Sequence, residues 1–325
     1  MRVSGTGLGW TTKGMAKAHQ TYVFIDGEAG TTGLQIAERL TSLKGIGVRS
    51  IDPARRKDAP TRQALMSAVD LVILCLPDEA AKEAVALADE LGSAAPKIID
   101  ASTAHRVAPG WIYGFAELDK DQADKIAQAK RVANPGCYPT GAIALVRPLV
   151  DAGLIPRDYP ITVNAVSGYS GGGKSMIESY EVSKTAPKFE LYGLGLEHKH
   201  VPELMTYARL NRRPIFVPSV GNFKQGMLVS IPLYLDSLPG NPGIADLENA
   251  LAKHYAGARQ VRVVKDAAKL SRLDALSLNG SDDLELFVFG KDVLKHAVLV
   301  ARLDNLGKGA AGAAVQNLKL MLGLN

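Results

Sequence analysis

Tyr22-Val23-Phe24-Ile25-Asp26-Gly27-Glu28-Ala29-Gly30-Thr31-Thr32-Gly33 is the stretch that decides how the first half of this chain folds. Its four leading residues, Tyr22 to Ile25, are apolar and read as a short buried strand. Three glycines spaced three apart follow, and then Leu34, Ile36, Ala37 and Leu40 recur at helical spacing. A strand, a glycine turn and a helix in that order point backbone N–H groups and a helix N-terminus at a pyrophosphate. The spacing G-x-x-G-x-x-G is one residue off the usual G-x-G-x-x-G, but the physical requirement is the same. A structural turn with no ligand is the competing reading.

Working outward, residues 47–52 form a candidate second strand, followed by Pro53-Ala54-Arg55-Arg56-Lys57. In a dinucleotide-binding unit this point meets the adenosine ribose. Asp52 would suit a 2′-hydroxyl, whereas Arg55, Arg56 and Lys57 would suit a 2′-phosphate, so NADP is expected over NAD. Further strands are expected at residues 69–76, 97–100 and 131–133, with a helix over 79–91. Alternating strands and helices predict an α/β fold, a Rossmann-type doubly wound parallel sheet. Arg106, just past the strand at 97–100, is a candidate phosphate or carboxylate clamp. His105 beside it is the weaker candidate.

Asn134-Pro135-Gly136-Cys137-Tyr138-Pro139-Thr140 puts a cysteine in a turn ahead of the apolar run 142–150. A helix over 141–152 with Thr140 as its N-cap would leave Cys137 just before a positive helix end, which favours the thiolate. A small buried hydrophobe is the alternative. Cys75, inside Leu71-Val72-Ile73-Leu74-Cys75-Leu76, reads as an inert core residue.

Beyond residue 160, strands are expected at 161–166, 215–220, 226–234, 260–264, 284–289 and 297–303, with one amphipathic helix over 244–255. Adjacent strands with few helices predict an α+β catalytic domain with a largely antiparallel sheet. Ser167-Gly168-Tyr169-Ser170-Gly171-Gly172-Gly173-Lys174-Ser175 fits two motifs literally, the P-loop and the hydrolase nucleophile elbow. Neither has its downstream partners: no acidic strand end follows for Mg²⁺, and Asp236 or Asp274 with His296 would be formal triad members only. A mobile glycine loop with Lys174 near an anionic group is the preferred reading. In His198-Lys199-His200-Val201-Pro202-Glu203 the two histidines share a face if the backbone is extended. They suit acid/base work beside Cys137, with Glu203 orienting an imidazole from a first helical turn. No third ligand stands at metal spacing. The C-terminal residues 305–322 read as a glycine turn and a small-residue helix that returns to the first domain.

Composition narrows the class. With 46% hydrophobic and 22% charged residues the chain is an ordinary soluble type, and 325 residues suggest two domains. The net charge of +5 is scattered, with no basic stripe for nucleic acid, and no apolar run reaches membrane-span length. Two cysteines make no disulfide framework, so a reduced, cytoplasmic protein is expected. Residues 1–20 are read as an extension, with 1–18 expected to pack poorly and Met15 as a second plausible start.

Taken together, the glycine turn, the cysteine turn, Ser167 to Lys174, His198 to Glu203 and Asn305 to Gln316 resemble the N-acetyl-gamma-glutamyl-phosphate reductases in their shorter bacterial form. That family shares a fold superfamily with aspartate-semialdehyde dehydrogenase. The likeness covers the chain from Thr21 to Leu322. It implies an NADPH-dependent acyl-phosphate reductase of arginine biosynthesis, with Cys137 as nucleophile and His198 or His200 as acid/base. Gly171–Gly173 would lie near the cysteine, and Asn305 near the nicotinamide. The expected catalytic set is Cys137, His200, His198 and Glu203. The expected NADP(H) set is Gly27, Ala29, Gly30, Thr31, Thr32, Gly33, Arg55, Arg56, Ser102, Gly172, Asn305 and Gly309. Arg106, Asn134 and Lys174 form the expected substrate or phosphate set, and no metal is expected. The expected domains are 21–136 with 305–325 for the cofactor and 137–304 for catalysis and oligomerisation, in a homodimer or homotetramer. An aspartate-semialdehyde dehydrogenase-like enzyme on a related acyl phosphate is the alternative, with a P-loop NTPase or a non-catalytic NADP sensor more remote.

Overall fold

The computed structural model describes residues 20–324, so the expectation for the first eighteen residues lies outside the described part. The first half builds strands β1 (Thr21–Asp26), β2 (Ile46–Arg49), β3 (Leu71–Leu74), β4 (Lys97–Asp100), β5 (Ile112–Tyr113) and β6 (Arg131–Ala133). They form one sheet in the order β2-β1-β3-β4-β6-β5, with every pairing parallel. Helices α1 (Thr31–Thr41), α2 (Ala59–Ser67), α3 (Asp78–Asp89) and α4 (Gln122–Gln128) come from the same half.

Period-two alternation sorts the side chains between two faces. Val23, Ile25, Leu71, Ile73 and Val132 pack on one side with Ile36 and Leu40 of α1 and Ile126 of α4. Phe24, Val72, Leu74 and Ile98 face the other side, against Met66 of α2 and Ala81, Ala84 and Val85 of α3. Each of the Val, Leu, Ile, Met and Phe side chains among them contributes about 1.5–3 kcal/mol of burial.

The second half adds β7 (Thr162–Gly168), β8 (Phe189–Leu191), β9 (Ile215–Gly221), β10 (Met227–Tyr234), β11 (Val261–Val263), β12 (Leu284–Lys291) and β13 (His296–Leu303). Their order is β11-β12-β13-β10-β7-β9-β8, with four antiparallel and two parallel pairings. Helices α5 (Cys137–Asp151), α6 (Gly173–Glu181), α7 (Val201–Tyr207), α8 (Ile244–His254) and α9 (Gly312–Leu322) complete the chain. One face of this sheet is covered by α5, α7 and α8. Helix α9 returns to the first sheet, where Ala314, Leu318 and Met321 join the core beside α1 and α4. Among the described residues no helix is long and apolar enough to cross a membrane.

Two local expectations are corrected and four elements are added. The second strand ends at Arg49, because Asp52 accepts from Ala54 N–H and starts a 3₁₀ turn at Pro53. Helix α5 begins at Cys137 itself, so Thr140 is no cap; its hydroxyl donates back to the Gly136 carbonyl from inside the first turn. Helix α2 is an addition, although its signal was local: the Asp58 carboxylate caps Thr61 N–H and Pro60 occupies the first turn. Helix α4 and the short strands β5 and β8 are also additions. Their brevity leaves too few periodic positions to read.

Candidate active site

The glycine turn has the shape its spacing requires. Gly27 holds φ +90, and a Cβ there would lie 2.4 Å from the Cys75 carbonyl oxygen. A Cβ on Gly33 would lie 2.6 Å from the Gly27 carbonyl oxygen. These close approaches fold the turn flat, and α1 starts directly after Gly30, with no side-chain cap and no acidic residue in its first turn. Uncapped amides at a positive helix end form a cradle for a pyrophosphate, so the turn through Ala29, Gly30, Thr31 and Thr32 fits a dinucleotide. Glu28 accepts a 2.8 Å bond from Ser50 Oγ, just past β2. Arg55 and Arg56 are exposed, and Arg55 pairs with Asp58.

The cysteine turn is tightly packed. A Cβ on Gly136 would lie 2.5 Å from Arg106 Nη1, 2.9 Å from His200 Nε2 and 3.0 Å from Glu203 Oε2. Three side chains from two distant segments therefore meet at the residue before Cys137, and only glycine leaves room. Glu203 is 1% exposed and fully engaged. It accepts from Gly136 N–H at 2.7 Å, Tyr113 OH at 2.7 Å and Arg106 Nη1 at 2.9 Å. The expectation that it orients an imidazole is thus corrected: Glu203 anchors Arg106 and the start of α5. Arg106 also donates from Nε to the Asn134 carbonyl.

Cys137 is half-buried at the first residue of α5. Burial pushes its thiol up to about 11, against the pull of the Arg106 guanidinium and backbone N–H groups. Cys75 is pushed up to about 12 by burial and by the Asp100 and Asp26 carboxylates, which leaves it an inert thiol.

His200 is the residue preceding α7, in helical rather than extended backbone, so the two imidazoles converge through a turn. Their ring centroids are 4.7 Å apart. His200 N–H donates to His198 Nδ1 at 3.2 Å. Burial, with Lys199 nearby, lowers His198 to about 4, and burial, Arg106, His198 and Lys199 hold His200 well below the usual imidazole range. Both are neutral at pH 7, so no histidinium assists the thiol at rest. Nδ1 of His200 is buried without a hydrogen-bond partner among the described residues.

A cavity of about 360 Å³ collects these groups. Its walls carry Thr32 from the glycine turn, Cys137, His198 and His200, Gly171 and Gly172, and Asn305 and Gly309. Among the described residues, Arg106 and Lys199 are its two permanent cations, and no carboxylate lines it. The parallel sheet and the mixed sheet thus each supply part of one wall.

The other expected residues divide clearly. Gly309 touches the nucleophile, since a Cβ there would lie 2.8 Å from Cys137 Cβ. Asn305 donates to Ser170 Oγ and accepts from Gly226 N–H, which pins the glycine loop. Asn134 donates to the Ala310 carbonyl and accepts from Asn317, tying the cysteine turn to the C-terminal segment. Ser102 donates to the fully buried Asp100 and lines a neighbouring hollow. Lys174 is corrected: it is exposed on the first turn of α6, off the cavity wall, where Met176 stands instead.

Both literal motifs of residues 168–175 fail on geometry. A P-loop needs free backbone N–H groups. Here those of Gly168, Tyr169 and Ser170 are spent on the carbonyls of Gly226, Phe223 and Lys224. The elbow fails because His296 begins the eight-residue β13, roughly 23 Å along the strand from Leu303, the end level with Met227 of β10 and, through it, Ser167 of β7.

Sequence reasoning passed over Lys199, Tyr113 and the bond from His105 Nδ1 to Asp100, 2.6 Å long and backed by stacking on Trp111. Only the position of Lys199, between two candidate histidines, offered a signal.

Comparisons with known proteins follow the same division of the chain. The family described as "Semialdehyde dehydrogenase, NAD binding domain" matches residues 23–126, and "Semialdehyde dehydrogenase, dimerisation domain" matches 137–305. Proteins named N-acetyl-gamma-glutamyl-phosphate reductase from Brucella ovis and Brucella anthropi are 57% identical over 308 residues, 93% of this chain and 98% of theirs. Among solved structures, aspartate semialdehyde dehydrogenase II of Vibrio cholerae aligns with a TM-score of 0.69 at 17% identity, covering 94% of this chain and 98% of that one. The Candida albicans aspartate semialdehyde dehydrogenase solved with NADP aligns at 0.64 and 12%, over 93% and 98%.

Proposed function

The chain belongs to the N-acetyl-gamma-glutamyl-phosphate reductase family within the semialdehyde dehydrogenases, and from that premise we propose how its residues carry out the reaction. It is an oxidoreductase that reduces N-acetyl-L-glutamyl 5-phosphate with NADPH, releasing N-acetyl-L-glutamate 5-semialdehyde and phosphate in arginine biosynthesis. The observation that carries the residue roles is the convergence of Cys137, His200 and Arg106 at Gly136, beside a cavity where the described residues supply two cations and no carboxylate.

Cys137 Sγ attacks the acyl carbon while neutral His200 takes the thiol proton at Nε2. A thiol held near 11 needs such a base, and an imidazole kept neutral is able to act as one. Arg106 stabilises the sulfur charge as it forms. The uncapped N–H groups at the start of α5 favour negative charge beside Cys137 and stabilise the tetrahedral oxyanion. The new S–C bond replaces the C–O bond, and phosphate departs with that electron pair and takes a proton from water, leaving a thioester. Bound NADPH supplies hydride to the acyl carbon. On collapse the C=O of the aldehyde forms as the C–S bond breaks, its electron pair goes to Cys137 Sγ, and His200 returns the proton to Sγ. His200 is assigned this role over His198, whose Nδ1 already accepts the His200 N–H.

Gly27, Ala29, Gly30, Thr31, Thr32 and Gly33 hold the pyrophosphate, and Arg55 and Arg56 swing to the 2′-phosphate. The dimerisation-domain match supports a homodimer or homotetramer. The use of NADPH and two unpaired thiols fits the cytoplasm.

Phosphate-dependent reduction of NADP is the direct test, run with N-acetylglutamate semialdehyde beside aspartate semialdehyde. Activity with the first and little with the second is expected; the reverse order rejects the substrate assignment. Cys137→Ser should abolish turnover while NADPH binding, read by fluorescence, persists. Substantial activity in that variant rejects the thioester.

A further inference from the structure

Lys308 takes no part in the steps above, yet it is a lysine buried to 1% exposure. Lysine is almost never covered this completely unless it is paired. Its Nζ donates to Glu117 Oε2 and Gln316 Oε1, each at 2.7 Å, and Gln260 Oε1 lies 3.4 Å away. Gln316 Nε2 donates in turn to Glu117 Oε1 at 2.8 Å. Glu117 comes from the parallel-sheet half and Gln260 from the mixed-sheet half. One ammonium therefore ties both halves to the C-terminal segment.

The backbone around Lys308 is unusual as well. Gly307–Ala311 is a turn of π-helix directly ahead of α9. Gly309 N–H donates to the Asp304 carbonyl and Ala311 N–H to the Leu306 carbonyl, each at 3.0 Å and across five residues. Such turns are rare, are wound wider than an α-turn and recur at functional sites. Here the turn carries backbone to the nucleophile. Gly309 stands against Cys137. The Ala310 carbonyl accepts from Asn134 Nδ2 at 3.0 Å, and Asn134 opens the cysteine turn. Gly309 and Ala310 both line the cavity, whereas Lys308 stands behind that lining.

We propose that Lys308 is a positioning residue for Cys137: its ammonium, held by Glu117 and Gln316, locks the 307–311 turn in its five-residue spacing and so fixes Gly309 against the nucleophile. This proposal rests on the reductase reading above. Without the ammonium, the turn has only its own backbone bonds to keep that spacing. Relaxation to α spacing shifts Gly309 and Ala310 by one residue's rise, ~1.5 Å. A misplacement of about 1 Å at the reacting groups costs about 100-fold in rate. The loss belongs to kcat, because the pyrophosphate cradle at Gly27 to Gly33 lies in another segment.

Lys308→Met keeps the stem and removes the ammonium, but it leaves Glu117 without its counter-charge and so strains folding. Lys308→Met/Glu117→Gln removes both charges and leaves an amide to meet Gln316. A buried ion pair replaced as a whole costs little stability, so the double variant should melt within about 4 °C of the parent. Both variants would be assayed in the reverse direction with N-acetylglutamate semialdehyde, NADP and inorganic phosphate, beside calorimetry and NADPH fluorescence titration. In the double variant kcat should stay roughly 100-fold below the parent's. Its KM values and NADPH affinity should stay within about twofold. A merely structural ion pair predicts instead that kcat returns with the melting temperature. A double variant with the parent's kcat therefore overturns the proposal, as does a loss carried by KM or by NADPH affinity. A parent enzyme without phosphate-dependent NADP reduction overturns the reductase reading; an active parent beside an equally active double variant overturns this proposal alone.

Discussion

Replacing Glu203 by glutamine tests the part of the site that holds everything else. The carboxylate accepts three hydrogen bonds in a place with 1% exposure. Glutamine keeps one carbonyl oxygen for Tyr113 OH and Gly136 N–H. Its NH₂ then faces Arg106 Nη1, donor against donor, and leaves a buried guanidinium without a counter-charge. Breaking a buried pair in this way costs about 3–5 kcal/mol. Taking the lower figure because two acceptor bonds survive, the melting temperature should fall by roughly 6–12 °C, at ~2–4 °C per kcal/mol. The chemistry should move in the opposite sense. The Glu203 carboxylate adds to the forces raising the Cys137 thiol, whereas Arg106 lowers it. In Glu203→Gln the thiol should therefore titrate below the parent's value of about 11. Scanning calorimetry gives the first quantity. The pH dependence of iodoacetamide labelling, with the labelled cysteine identified by mass spectrometry, gives the second. A melting point within about 2 °C of the parent's, or a thiol that titrates higher, refutes the reasoning.

The remaining predictions concern close contact and protonation. Gly309→Ala places a methyl 2.8 Å from Cys137 Cβ and should displace the nucleophile, lowering kcat about 100-fold in a protein that melts normally; an unaffected kcat contradicts that contact. His198 and His200 both titrate below their unfolded value of 6.5, so the unfolded chain binds more protons between that pH and their folded values. Their contribution to stability is complete above pH 6.5 and is lost as pH falls through the folded values, His198 to about 4. Melting temperature should fall across that window, and His198→Asn should flatten the slope; an equal slope in the variant removes His198 from the account.

Legibility from sequence followed the range of the interaction. The glycine turn was readable because strand period, glycine spacing and helix period all lie within about twenty residues of one another. Its backbone conforms closely, down to the positive φ at Gly27. Helix α2 was equally local, and the capping pair Asp58 and Pro60 would have found it. Lys174 misled because G-x-x-x-x-G-K-S is a local pattern, while the wall a lysine lines depends on the direction of α6. Glu203 stands beside the cysteine turn, but its partners were not legible, since Arg106 and Tyr113 lie 97 and 90 residues away in the chain.

The sequence alone determined the strand–turn–helix grammar, the residue that is the candidate nucleophile and, through five motifs in order, the family. Periodicity and turn chemistry are properties of neighbours along the chain, and they survive without a fold. Tertiary structure decided the protonation states and the charge partners. Burial raises the Cys137 thiol and keeps both imidazoles neutral, and burial exists only after two sheets and α5 close around them. The same closure turned Glu203 from an imidazole's neighbour into the anchor of Arg106, because electrostatics acts through space and the chain order records none of those distances.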